Sequence, residues 1–283
     1  MIDNPTKNDF YKARLTESEF NRLSQFIYSG YGIKMPISKK IMLESRLQKR
    51  LKATGLPTFK EYLEFVFDGA GGDTEVIHLI DVVSTNKTDF FREPMHFDFM
   101  RDHILPETKS DSLKIWSAAA SSGEELYTIS IIINEFNKKN PLQKKSFSIL
   151  GTDISTDILK KGIAGVYKMD RVANIPLSLK KKYFLKSKDT AHPLVRVIPE
   201  LRRNVSFRRL NLMDSNYAVN EQFDIIFCRN VLIYFDRETQ EKVINKLCSK
   251  LKPGGYFFLG HSESITGIDV PLKSVKPTIY IRN

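Results

Sequence analysis

From Thr16 to about Leu79 the apolar residues recur at helical spacing, and from about Leu113 the pattern changes to short apolar runs alternating with helical stretches. In the first part, Thr16-Glu17-Ser18-Glu19 fits a capping box, with Thr16 as cap and Glu19 reaching back. Phe20, Leu23, Phe26 and Ile27 follow at the spacing of one helix face. A second helix is predicted from Ser38 to about Ala53, stopped at Thr54-Gly55. Lys39, Arg46 and Arg50 share one of its faces, while Ile41, Leu47 and Leu51 point elsewhere. A third covers Phe59 to Val66 and ends near a turn at Gly69-Ala70-Gly71-Gly72. These helices hold no catalytic constellation, so binding is their expected work.

In the second part, strands are predicted at Leu113–Ser117, Phe147–Asp153, Val205–Leu210, Phe223–Cys228, Tyr256–Gly260 and Thr278–Ile281. Helices are predicted from Glu124 to about Phe136 and from Arg237 to Leu251, the latter stopped by Pro253-Gly254-Gly255. Such alternation gives an α/β class with a mostly parallel sheet and helices on both faces.

Composition narrows the class. With 41% hydrophobic and 27% charged residues the chain is globular, and 283 residues leave room for two domains. No run reaches the ~18 apolar residues of a membrane span, which excludes a transmembrane helix. Met1-Ile2-Asp3-Asn4-Pro5 has neither a basic start nor an apolar core, so no secretory signal is expected. Cys228 and Cys248 alone make neither a disulfide framework nor a four-ligand zinc site, and no Cys/His cluster has metal-ligand spacing. A reduced cytoplasmic protein without metal is expected.

The net charge of +11 is concentrated. Lys34 to Lys60 carries eight Lys/Arg against Glu44, and Thr156 to Leu210 carries fourteen against four acids. Two basic stretches on an otherwise acidic chain point to an acidic partner, whether nucleic acid, anionic membrane or protein, or else to solvated helix faces.

The small-residue turn Ala118-Ala119-Ala120-Ser121-Ser122-Gly123 lies between the first strand and its helix, where a ligand can approach the backbone. Asp153, at the end of the next strand, can take both hydroxyls of a ribose. The turn lacks Gly-x-Gly-x-x-Gly spacing, which disfavours a dinucleotide. Glu124 and Glu125 at the helix start suit an ammonium or sulfonium instead of a pyrophosphate. S-adenosylmethionine carries both cations. Each feature also has a plain reading, as a tight turn, dipole-favoured acids and a surface aspartate.

The run Trp116-Ser117-Ala118-Ala119-Ala120-Ser121-Ser122-Gly123-Glu124-Glu125 resembles the cofactor loop of the chemotaxis-receptor glutamate methyltransferases, the CheR family. Thr85-Asn86-Lys87-Thr88-Asp89-Phe90-Phe91-Arg92-Glu93 is similar to its linker motif, and Gly151-Thr152-Asp153-Ile154 to its second strand. Cys228-Arg229-Asn230-Val231-Leu232-Ile233-Tyr234-Phe235-Asp236 resembles its fourth strand and the following turn. Leu251-Lys252-Pro253-Gly254-Gly255 and Gly260-His261-Ser262-Glu263 resemble its C-terminal blocks.

The resemblance implies a Rossmann-like methyltransferase fold with an N-terminal all-helical domain (1–80) for receptor docking and a linker (81–112) contributing cofactor residues. The catalytic domain (113–283) would hold an antiparallel β-subdomain inserted at about 170–204. It implies methyl transfer from S-adenosylmethionine to receptor glutamates, releasing S-adenosylhomocysteine. Arg92 and Tyr234 are then the catalytic candidates. Asn86, Thr88, Arg92, Glu124, Asp153, Asn211, Leu212, Arg229 and Asn230 would bind cofactor, with Asp153 on the ribose, Glu124 on the methionine ammonium and Asn211-Leu212 on the adenine. Lys39, Arg46 and Arg50 are expected to meet the receptor's cytoplasmic methylation helices. The β-subdomain loop is not shortened, which resembles members that tether a receptor's C-terminal pentapeptide by strand addition. A monomer that neither binds nucleic acid nor inserts into membrane is expected. The rival readings are a methyltransferase for another acceptor such as RNA, and a catalytically inactive S-adenosylmethionine sensor or docking module. Against RNA, no basic motif is interleaved with aromatic residues.

Overall fold

The capping box at Thr16 forms: the Glu19 N–H donates to Thr16 Oγ1 at 3.2 Å, and the Thr16 N–H donates to Glu19 Oε2 at 2.7 Å. It opens helix α1 (Glu17–Tyr31) of a computed structural model that describes residues 13–68 and 72–283. Of the predicted turn Gly69-Ala70-Gly71-Gly72, residues 69–71 lie outside the described residues, as do the first five residues. The chain divides into two units, Met1–Thr85 and Asn86–Asn283.

In the first unit α1 is followed by α2 (Lys40–Thr54), α3 (Phe59–Phe67) and α4 (Gly72–Val83). The buried stripe of α2 is Leu43, Leu47 and Leu51, at steps of four; Phe20, Leu23 and Ile27 of α1 and Leu79 and Ile80 of α4 are buried in the same unit. Ile41, expected to point away from the basic face, does so and is 80% exposed. Arg46 and Arg50 flank the leucine stripe and are themselves half-buried. Arg50 forms a two-pronged pair with buried Glu75, at 2.9 and 2.7 Å, and the Tyr62 hydroxyl donates to the same carboxylate at 2.8 Å. Arg46 Nη1 donates to the carbonyls of Val83 and Ser84, each at 3.0 Å, at the end of α4, where a helix leaves carbonyls without intrahelical partners. The expectation that Arg46 and Arg50 present a docking face is corrected: their guanidiniums hold the helices together.

In the second unit, α5 (Pro94–Phe99) runs through a wider turn at Met100–Ile104 into α6 (Leu105–Glu107). The α/β part then follows: β1 (Ser112–Ser117), α7 (Glu124–Lys139), β2 (Ser146–Asp153), α8 (Thr156–Ala164), β3 (Val166–Lys168), α9 (Leu177–Tyr183), β4 (Phe184–Lys186), β5 (Leu194–Val197), α10 (Pro199–Arg202), β6 (Val205–Arg209), β7 (Phe223–Cys228), α11 (Arg237–Ser249), β8 (Leu251–Leu259), β9 (Leu272–Lys276) and β10 (Ile279–Arg282). Among the described residues these strands form a seven-stranded sheet in the order β6-β2-β1-β7-β8-β10-β9 and a three-stranded sheet in the order β3-β5-β4. The large sheet is parallel from β6 through β8 and antiparallel at β10 and β9. Its fold is Rossmann-like. One core lies beneath α7 (Leu126, Ile129, Ile133 with Ile115, Ile149 and Phe227) and another beneath α11 (Val243, Ile244, Leu247 with Ile226, Phe257 and Leu259).

Three differences from the sequence reading have physical causes. Strand β8 begins at Leu251, before Pro253, because Phe223 pairs with Leu251 while Ile225 pairs with Tyr256. The surplus residues on β8 form a bulge, a place where proline is tolerated in a sheet. Strand β9 escaped notice because its residues after Leu272 are solvent-exposed, so no apolar alternation marks it. The small sheet begins at Val166, ahead of the expected 170.

Candidate cofactor and active site

Strand β1 has β2 on one side and β7 on the other, so the chain leaves it in opposite directions and opens a crevice at the strands' carboxyl ends. The turn Ala118–Gly123 lines that crevice and is pinned to β7 and β2. Ala118 N–H donates to the Phe227 carbonyl at 2.8 Å and Ala120 N–H to the Thr152 carbonyl at 2.9 Å. Ser121, at φ 46°, donates its N–H to Asp153 Oδ2 at 2.9 Å, and Ser155 N–H donates to Asp153 Oδ1 at 3.0 Å. The Asp153 carboxylate is thus oriented by backbone donors at the lip. Gly123, at φ 90°, turns the chain into α7. A Cβ on Gly151 would stand 2.5 Å from Leu126 Cδ2, so only glycine lets α7 pack this close to β2.

The two acids opening α7 do different work. Glu124, 1% exposed, accepts from Ser122 Oγ at 2.6 Å and from Arg171 Nη2 at 2.7 Å. Arg171 follows β3 of the small sheet; it also donates to Asp89 Oδ1 at 2.8 Å and to the Thr88 carbonyl. Tyr167, on β3, donates its hydroxyl to the Ser122 carbonyl at 2.6 Å. The inserted sheet therefore buttresses both the turn and the segment carrying Asn86 and Thr88, whose own link to the turn is Ser121 Oγ donating to the Asn86 carbonyl at 3.0 Å. Glu125, read from sequence as a partner of the ligand's cation, accepts from Ser117 Oγ at 2.8 Å and from Arg229 Nη1 at 2.7 Å.

Arg229 is the hub of the opposite wall. Its side chain is 2% exposed and bridges Glu125 to Glu93, Nη2 donating to Glu93 Oε2 at 2.9 Å and to the Arg92 carbonyl at 2.6 Å. Asn230 Nδ2 donates to Glu93 Oε1 at 3.1 Å, and the His261 N–H to Glu93 Oε2 at 3.2 Å. Burial by itself would raise the Glu93 pKa, but the Arg229 guanidinium, the Asn230 amide and the His261 N–H hold it at about 2. Phe91, Glu93 and Asn230 all adopt positive φ (55°, 57° and 58°), concentrating backbone strain on the two segments this network ties together. Glu263 accepts the N–H groups of Asn230, Leu232 and Gly260 at 2.9, 2.7 and 2.7 Å; burial raises its pKa despite these bonds.

The Arg92 side chain is one-third exposed and donates to the Lys87 carbonyl at 2.9 Å. Tyr234, half-buried, ends the single turn Leu232–Tyr234 just after Asn230. Asn211 Oδ1 accepts the Met213 N–H at 3.0 Å and so closes its own turn, while Leu212 lies in the core beside Trp116 and Tyr217. Both follow β6, alongside Asp153. Asn86, Thr88, Arg92, Glu124, Asp153, Arg229 and Asn230 are thus linked around one crevice; Lys39, Arg46 and Arg50 belong to the helical unit. A small-residue turn, an oriented aspartate and a buried glutamate beside it fit an adenosyl cofactor bearing an ammonium.

Residues 86–281 match the family model described as CheR methyltransferase, SAM binding domain, and residues 18–84 match CheR methyltransferase, all-alpha domain. The chain belongs to the CheR methyltransferase family. The chemotaxis protein methyltransferase of Borreliella burgdorferi is 39% identical over 288 residues, covering 99% of this chain and all of that one. That of Escherichia coli is 36% identical, covering 95% of this chain and 92% of its own. Among solved structures, magnesium protoporphyrin IX methyltransferase from Synechocystis is 14% identical with a TM-score of 0.33, covering 71% of this chain and 70% of that one. This CheR protein is an S-adenosylmethionine-dependent methyltransferase of chemotaxis.

Three residues of the CheR crevice escaped assignment from sequence. Glu93 and Glu263 stood in recognised blocks as acids close to assigned residues. Arg171 had no such signal, being one arginine in a basic stretch. Arg171→Ala is expected to weaken S-adenosylhomocysteine binding about tenfold, or about 1.4 kcal/mol, read by calorimetry. Losing the shared donor loosens Glu124 and the 88–89 segment, and this outweighs the relief of like-charge repulsion on the ligand's ammonium because Arg171 is partly solvated. Tighter binding by the variant would show that repulsion dominates and would end the positioning role.

Proposed function

We propose that this protein transfers the methyl group of S-adenosylmethionine to glutamate side chains of chemoreceptors, as a cytoplasmic protein-glutamate O-methyltransferase acting as a monomer. The near-full-length match to chemotaxis protein methyltransferases carries the reading. When bound, the cofactor supplies an electrophilic methyl on sulfur. A glutamate with an ordinary pKa near ~4.3 is already ionised at neutral pH, so the site needs no general base. The work left to the chain is alignment and exclusion of water. Arg92 offers a planar fork to a carboxylate and Tyr234 one hydroxyl donor. Asp153 would take the ribose hydroxyls, Glu124 the ammonium, and the Asn211-Leu212 backbone the adenine, with Asn86, Thr88, Arg229 and Asn230 closing the pocket. Neither cysteine enters the chemistry; both are buried free thiols, consistent with a reducing compartment.

Among the described residues no helix is long and apolar enough to cross a membrane. Receptor contact is proposed through α2, with the outward residues Ile41, Lys49 and Lys52 beside half-buried Lys39 in place of Arg46 and Arg50. A receptor's C-terminal peptide would add to an edge of the small sheet, β3 or β4. The test of the whole reading is labelled S-adenosylmethionine incubated with receptor-containing membranes. Base-labile label on the receptor supports carboxyl methylation; cofactor binding without label refutes it.

The docking face has its own expected result. Lys49→Glu with Lys52→Glu should reduce receptor methylation several-fold at low salt and leave melting and S-adenosylhomocysteine affinity unchanged. Arg50→Ala should lower the melting temperature instead, because it strands Glu75, at a cost of about 2–4 kcal/mol. Unaltered methylation in the lysine pair variant would move docking off α2.

A further inference from the structure

Two buried nitrogens around Glu93 have no hydrogen-bond partner, Arg229 Nε, which is a donor, and His96 Nδ1. His96, on α5, is 0% exposed, and its Nε2 lies 2.7 Å from Thr278 Oγ1. The Thr278 hydroxyl donates to the Pro277 carbonyl at 2.6 Å. With that proton committed, Thr278 Oγ1 accepts, so the imidazole proton sits on Nε2 and Nδ1 presents its lone pair. Nδ1 has no hydrogen-bond partner and faces Glu93 Oε2 at 3.6 Å. The same oxygen lies 3.9 Å from His261 Nε2, and the ligand atoms of Glu93, His96 and His261 all lie within 4.8 Å of one another. Acceptors that converge in a buried place repel one another unless a cation stands between them.

We propose that Glu93, His96 and His261 form a site for a borderline transition-metal cation, zinc(II) being the type, with a fourth position open. A tetrahedral zinc with bonds of about 2.0–2.1 Å sets its ligand atoms about 3.3 Å apart. The pair distances here exceed that by a few tenths of an ångström to about 1.5 Å, and His261, with its side chain 47% exposed, is the ligand able to close the gap. Thr278 on the far nitrogen of His96 is the outer partner that fixes the tautomer of a metal-binding histidine. Two imidazoles with one carboxylate favour zinc, nickel or copper over magnesium and calcium, which require several oxygen ligands. The Met95 thioether, 3.2 Å from His261 Nε2, adds a soft atom beside the site.

What opposes the ion is that the same Glu93 oxygen already accepts from the Arg229 guanidinium at 2.9 Å and from the His261 N–H at 3.2 Å. The ion must share that carboxylate, so micromolar affinity is expected instead of the much tighter binding of a structural zinc. Glu93 also anchors Asn230 on the cofactor wall, so bound metal and bound S-adenosylhomocysteine must affect each other's affinity equally.

The test uses the full, untagged, chelator-stripped protein. Zinc is titrated in competition with a chromogenic chelator, and cobalt is titrated with visible absorption recorded. One equivalent should bind, cobalt should give the intense band of four-coordination, and excess magnesium should not compete. His261→Ala should weaken zinc binding at least tenfold with an unchanged melting curve, while His192→Ala, at a surface loop, binds as the parent does. Zinc binding that His261→Ala leaves untouched, or no saturable binding below about 100 μM (about 5.5 kcal/mol), overturns the site.

Discussion

Arg92→Ala is expected to lower receptor methylation by about two to three orders of magnitude, the loss seen when one oriented donor is removed from a charged reacting centre. Its stability should scarcely change, because the guanidinium is one-third exposed, its hydrogen bond to the Lys87 carbonyl is a surface contact, and its approach to Glu93 is a loose 3.9 Å. What Arg92 contributes to architecture it contributes through its backbone carbonyl, which accepts from Arg229 and survives the substitution. The measurement is initial rate of label transfer beside a calorimetric titration with S-adenosylhomocysteine. A fall in rate with product affinity kept within about tenfold, or about 1.4 kcal/mol, places the side chain on the reacting groups. Near-normal turnover removes it from the mechanism.

Arg229→Met should have the largest effect on stability. Methionine keeps most of the volume but leaves Glu93 and Glu125 facing one another without their shared cation. Breaking a buried pair in this way costs about 3–5 kcal/mol. At 2–4 °C per kcal/mol for a domain of this size, the melting point should fall by about 10 °C. Acid should narrow the gap. In the parent protein Glu93 is held at about 2 against an ordinary 4.5, so its contribution is complete at neutral pH and is lost as the pH falls from about 4.5 toward 2. In the variant, burial acts on Glu93 unopposed by Arg229 and the carboxyl takes up its proton at higher pH, which relieves the uncompensated charge. Melts at pH 7 and pH 4 decide it; a gap of equal size at both would mean that Arg229 is held for packing and not for charge.

Sequence patterning located the parallel strands closely because each is a short apolar run ending in a loop of small or charged residues; Phe223–Cys228 is found at its predicted bounds. It located the turn and Asp153 because the strand-turn-helix order places them. It misjudged α2, where periodicity alone cannot say which face of a helix is inward. The answer depended on Glu75 and the end of α4, which pull Arg46 and Arg50 in and leave Ile41 out. Arg171 and His96 were illegible for a related reason. Their partners lie far along the chain, Glu124 for one and Thr278 and His261 for the other, and no local pattern records such meetings.

Five loop amides around the crevice are held by carboxylate side chains, not by a sheet ladder. Ser121 and Ser155 donate to Asp153, and Asn230, Leu232 and Gly260 donate to Glu263. In deuterated water these five N–H groups should exchange slowly, at rates nearer those of the central strands than of ordinary surface loops. Little conformational entropy then remains to be lost at these positions when the ligand arrives.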